Sequence, residues 1–255
     1  MLFGEIIYGP IHSRRLGTSL GVELMPLEHK LCTFNCVYCE CGWNEKVSHP
    51  KLPTREEVRA ALEEKLSTYD FQHSTLDVIT FSGNGEPTLH PDFLGIIQDT
   101  IALRDRYCPK AKVSVLSNST QLGRPDVVQA LRLCDNRILK LDAGTDTMMR
   151  RIDLPMNEHL TVVQIMTWLK QFDGDFTLQT CFLRGEHDGQ RIDNTTQEEL
   201  EAWYGAVDVL QPKQIMIYVI DRKTPEEHLE KLTHDKMERI AAPLIEKGYD
   251  VIISA

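Results

Sequence analysis

From residue 54 onward the chain alternates helical and strand patterns, and this alternation dictates a mostly parallel sheet joined by crossover helices. The stretch 54–69 predicts a helix: Thr54 stands as N-cap, Glu57 is the third helical position, and Val58, Ala61, Leu62 and Leu66 recur at helical spacing. Strands are expected at 77–82, 112–117, 137–142, 176–183, 214–220 and 249–254, and helices at 91–106, 125–134, 161–172, 196–209 and 232–247. An opening strand at 20–25 gives about six βα units before the final strand. The expected class is α/β, in one domain over 1–255. The Gly-, Asp- and Asn-rich segment 185–195 reads as a mobile lid or a long connection.

Cys32-Thr33-Phe34-Asn35-Cys36-Val37-Tyr38-Cys39 carries three cysteines at C-x3-C-x2-C spacing, and no fourth falls where it would close a ferredoxin-type site. Three thiolates on a four-iron cluster leave one iron open to a ligand. The other reading of these residues is structural zinc, with Cys41 completing a tetrahedral site, although zinc sites usually pair two separated arms.

The cysteine loop, with its aromatic residue before the last cysteine, resembles the signature of the radical SAM enzymes. That resemblance implies an open, partial (β/α)6 TIM-type barrel, a single [4Fe-4S] cluster on Cys32, Cys36 and Cys39, and S-adenosylmethionine (SAM) on the fourth iron. The implied chemistry is reductive cleavage of the sulfonium to a 5′-deoxyadenosyl radical, which abstracts a hydrogen from substrate. In such barrels the chemistry sits at the C-terminal ends of the strands. Gly83-Asn84-Gly85-Glu86-Pro87 resembles the family's Gly-Gly-Glu-Pro loop, with Asn84 and Gly85 where one glycine is usual. It is implied to meet the SAM amino group, with Glu86 ordering the loop. Tyr38 matches the aromatic position near adenine. Asp142, Ser117 and Asn118 stand where short polar groups meet ribose, and Arg184 is a candidate for the SAM carboxylate. Each also reads as an ordinary cap, turn or packing residue.

The stretch 8–21, with Leu116-Ser117-Asn118-Ser119-Thr120 and Lys140-Leu141-Asp142-Ala143-Gly144, resembles the branch around the wyosine-synthase-like iron-sulfur oxidoreductases. Two departures separate this chain from wyosine synthesis: no cysteine precedes Cys32, and the net charge of −10 gives no basic excess for a tRNA. A glycyl-radical-enzyme activase is a second enzyme reading, against which Glu40 stands where histidine is common. A zinc-bound or iron-sulfur interaction module is the non-enzyme alternative, and the loop at Gly83 argues against it. Arg14 and Arg15 are read as an anionic-ligand contact or as loop anchors.

Seven cysteines without a charged-then-apolar leader fit a reducing compartment, so a cytoplasmic protein is expected. No apolar run approaches bilayer length. The expected partners are SAM, a low-potential donor such as flavodoxin or ferredoxin, and a substrate that is a small molecule, a protein or an RNA.

Overall fold

A computed structural model describes residues 2–13, 16–70 and 74–255, so Arg14 and Arg15 lie outside the described residues. The chain divides into two compact units. The first takes in Met1–Cys32, Asn44–Ser117 and Gln121–Arg137, and the second Thr33–Trp43, Asn118–Thr120 and Ile138–Ala255.

The first unit holds β1 (Ile7–Ser13), β2 (Gly17–Val22), α1 (Arg55–Ser67), β3 (Val78–Phe81), α2 (Phe93–Tyr107), β4 (Lys112–Ser117) and α3 (Pro125–Leu133). Its strands run in the order β1-β2-β3-β4. β2, β3 and β4 are parallel, with Leu20 opposite Ile79 and Ile79 opposite Val113, so apolar residues stack across the register. All three side chains are fully buried. β1, which the sequence reading omits, pairs antiparallel with β2. There the Tyr8 ring occupies the space a Cβ on Gly21 would take, and Tyr8 donates its phenol proton to the Ser82 carbonyl at 3.0 Å. α1 begins as expected: the Thr54 hydroxyl accepts from the Glu57 amide while the Glu57 side chain accepts from Thr54. Its Val58, Leu62 and Leu66, four residues apart, make the buried stripe.

The second unit holds most of β5 (Asn136–Lys140), then α4 (Asp146–Ile152), α5 (Val162–Leu169), β6 (Thr177–Cys181), β7 (Arg184–His187), β8 (Gln190–Asp193), α6 (Gln197–Leu210), β9 (Gln214–Tyr218), β10 (Leu229–Glu230), α7 (His234–Glu246) and β11 (Val251–Ser254). Its main strands run β5-β6-β9-β11, all parallel. Phe182 and Trp203 meet edge to face at 5.1 Å, and the buried indole donates to the Thr180 hydroxyl at 3.1 Å. α4 was also unforeseen; the Thr145 hydroxyl caps it by accepting from the Met148 amide.

The segment expected as a lid or long connection is instead an antiparallel hairpin of β7 and β8, flanked by β10 in a three-stranded sheet. Asp188 and Gly189, between the paired His187 and Gln190, have φ of 49° and 70°. Two consecutive left-handed residues make the tight primed turn that suits strand twist, and Asp-Gly is a strong sequence signal for it. At its base Asn194 accepts from the Leu183 amide at 2.9 Å and donates to the carbonyls of Asp142 and Cys181 at 2.8 and 2.7 Å.

Candidate functional site

In the first unit the loop after β3 closes onto the residue before Cys32. Leu31 and Gly85 form a parallel bridge: the Leu31 amide donates to the Asn84 carbonyl at 2.9 Å, and the Glu86 amide to the Leu31 carbonyl at 3.1 Å. A Cβ on Gly85, whose φ is +152°, would overlap the Leu31 carbonyl oxygen, so only glycine permits this approach. Cys32 is thereby tied through Leu31 to the Gly83-to-Glu86 loop. The Asn84 side chain is fully buried and turned to structural use, bonding Phe3 and Pro26 backbone groups at 2.8–3.0 Å. Glu86 caps the short 3-10 turn Pro87–Leu89, accepting from the Thr88 amide and hydroxyl at 3.1 and 2.5 Å. Ser117, the last residue of β4, is 5% exposed.

Beneath this loop lies Glu23, which sequence reasoning missed. It follows β2, is 1% exposed, and accepts from the amides of Asn84 at 2.5 Å and Met25 at 2.7 Å. Burial pushes its carboxyl up to about 7 against the opposing pull of these amides. Its signal was a lone acid inside the apolar run 20–25.

In the second unit the cysteine loop is pinned to the end of α4. The Asn35 amide donates to the carbonyl of Asp153 at 2.8 Å, the Val37 amide to that of Ile152 at 2.9 Å, and the Cys39 amide to that of Cys36 at 3.1 Å. Asn118 donates to the Thr33 hydroxyl at 2.9 Å and accepts from Thr120. Tyr38 donates its phenol proton to Asp142, two residues past β5, whose other oxygen accepts from the Cys181 amide at 2.8 Å. Burial, then the Asp142 charge, holds the Tyr38 phenol well above its ordinary range. The carboxylate offered to ribose by the sequence reading is thus already engaged by protein donors. Arg184 opens β7, opposite Asp193 in register. Its Nε is buried without a hydrogen-bond partner among the described residues, leaving a donor to offer.

Lys140, the last residue of β5, was also missed. Its ammonium lies 2.8 Å from Asp153, 3.1 Å from Asp142 and 3.0 Å from the Cys36 sulfur. Burial opposes its charge, but the two carboxylates prevail and hold it well above lysine's ordinary value. Burial raises the Asp153 carboxyl, and the nearby Asp142 charge adds to that.

None of the cysteines is in a disulfide. Burial pushes Cys108 up to about 11 and Cys134 to about 12, and raises Cys181 well above the usual thiol range, so these remain protonated packing thiols at neutral pH. The three thiols of the C-x3-C-x2-C loop are a donor set suited to iron in a sulfide cluster. No helix among the described residues is long and apolar enough to cross a membrane.

Residues 29–195 match the Radical SAM superfamily, and the chain belongs to it. Members of that superfamily use an iron-sulfur cluster and SAM. More narrowly it groups with UPF0026 proteins: it is 30% identical over 227 residues to one from Synechocystis, covering 86% of this chain and 77% of that one. A Helicobacter pylori UPF0026 protein is 32% identical over 186 residues, 72% of this chain and 58% of the relative. A Brachyspira hyodysenteriae protein called GTPase Obg is 29% identical over 238 residues, 91% of this chain and only 32% of its own length. The chain therefore spans about a third to under two thirds of these last two relatives. Among solved structures, TYW1 with a lysine-pyruvate adduct superposes with a TM-score of 0.62 at 17% identity, over 89% of this chain and 73% of that one. A radical SAM methyltransferase from Sphaerobacter thermophilus gives 0.65 at 14% identity, over 92% and 65%. These likenesses show the fold, the partial barrel of radical SAM enzymes, as the resemblance of the cysteine loop implies.

Proposed function

We propose that residues 1–255 act as a single radical SAM domain that cleaves SAM reductively with one [4Fe-4S] cluster, using electrons from a low-potential cytoplasmic donor. The bound cluster and SAM would together supply the one-electron scission that yields a 5′-deoxyadenosyl radical for hydrogen abstraction from substrate. Cys32, Cys36 and Cys39 would hold the cluster. The backbone of Gly83, Asn84 and Gly85, ordered by Glu23 and Glu86, would accept from the SAM amino group. The unpartnered Arg184 Nε would serve its carboxylate, while Ser117, Asn118 and Tyr38 would border the nucleoside. Asp142 would act by holding the Tyr38 hydroxyl. The observation that carries this reading is the open C-x3-C-x2-C thiol set within a matched radical SAM domain, on a loop joined at Leu31 to a glycine cradle.

The test is anaerobic reconstitution with iron and sulfide, dithionite reduction with SAM, and chromatography for 5′-deoxyadenosine. The nucleoside should form with wild type and be lost in Cys36→Ala, which removes one of three ligands. A colourless protein that binds zinc and leaves SAM intact would overturn the reading.

A further inference from the structure

We propose that Lys140 is a positioning residue of the metal centre, donating a hydrogen bond to the cluster-ligating sulfur of Cys36 and placing there the positive charge that favours reduction. This rests on the function proposed above. An ammonium has three donors and no acceptor. All three of those on Lys140 have acceptors: Asp153 at 2.8 Å, the Cys36 sulfur at 3.0 Å and Asp142 at 3.1 Å. The side chain is 11% exposed, and its ammonium lies 4.9 Å from the Tyr38 ring centre and 5.1 Å from that of Phe34.

A lysine serving only solubility would send its ammonium into water. Here a buried ammonium lies between two carboxylates, which are themselves 0% and 3% exposed in their side chains, and the remaining donor is spent on sulfur. The partners are fixed rather than adventitious, since Ile152 and Asp153 next to this group carry the backbone bonds that pin Asn35 and Val37 of the cysteine loop. Reduction adds one electron, and hence one negative charge, to the cluster and its sulfurs. Hydrogen bonds to the sulfurs and net local charge are the levers that set such potentials. A cation and donor at Cys36 therefore stabilises the reduced form more than the oxidised one, whereas Asp153 acts in the opposite sense.

Wild type, Lys140→Met, Lys140→Arg and Asp153→Asn are reconstituted with iron and sulfide, assayed for iron, and titrated with dithionite at pH 8 against redox mediators, following the reduced cluster by electron paramagnetic resonance. At the wild-type midpoint, Lys140→Met should show at least a tenfold lower reduced-to-oxidised ratio, a shift of about 59 mV to more negative potential for one electron. Lys140→Arg should restore most of it, and Asp153→Asn should move the midpoint the other way. Opposite signs for the two charge removals are what loosened packing would not produce. The proposal is overturned if loaded Lys140→Met titrates with wild type, or if it and Asp153→Asn shift together. Should Lys140→Met retain no iron, an unmoved midpoint in Asp153→Asn overturns it equally. A wild type that takes up no four-iron cluster overturns the parent reading, and this one with it, whereas a loaded wild type with unmoved variants overturns this one alone.

Discussion

Replacing Glu23 with glutamine should remove a pH dependence built into the first unit. The carboxyl titrates near 7 when buried under the Gly83 loop and near its ordinary 4.5 when the chain unfolds. The folded state thus binds this proton more tightly, and the stability it confers is full below pH 4.5 and lost as pH rises through 7. Integrated from pH 5 to pH 8, the loss is about 2.5 kcal/mol. That is a large part of a typical folding free energy of about 5–15 kcal/mol. Urea unfolding of cluster-free protein at both pH values, wild type beside Glu23→Gln, measures it. Wild type should lose about 2.5 kcal/mol more than the variant between the two conditions. Equal losses in the two proteins would refute the reasoning, because the neutral amide has no proton to release.

Gly85→Ala forces a Cβ onto the Leu31 carbonyl at a backbone angle reserved for glycine, and should cost upward of about 2 kcal/mol. Gly189→Ala, at a positive φ with open space around it, should cost only about 1 kcal/mol, so thermal melts of the two should separate clearly. Thr54→Ala removes the capping box of α1 and should lower stability by about 1 kcal/mol in the same melts.

The helices and parallel strands were legible because each carries its own periodicity and punctuation. Lys112–Ser117 matches the expected strand residue for residue, and Thr54 caps α1 as its spacing requires. What escaped was held by distant partners. β1 depends on a Tyr8 ring lying over Gly21 and reaching Ser82, a relation no local pattern announces. α4 is only seven residues long and too short for a periodic signal to stand out. The Asp188-Gly189 turn was readable, but the surrounding Gly, Asp and Asn composition hid two short strands. Within the candidate site the cysteines and glycines are visible as motifs, whereas Lys140, Asp153 and Glu23 acquire their meaning only from burial and from the residues that surround them.

The bond from Leu183 to Asn194 has a bearing on how this chain can diversify. It joins the two ends of the hairpin, while the same asparagine fastens the carbonyls of Asp142 and Cys181, just past β5 and at the end of β6. Between those ends β7 is also held by β10, the Glu186 amide donating to the His228 carbonyl at 3.1 Å, and β8 by Arg151, which donates to the Arg191 carbonyl at 3.1 Å. The Asp188-Gly189 turn stands at the far end, with open space around Gly189, so residues can be added or exchanged there without pulling on the strands below, and this tip is the place at which descendants of this sequence can change what they grip while leaving the sheet undisturbed.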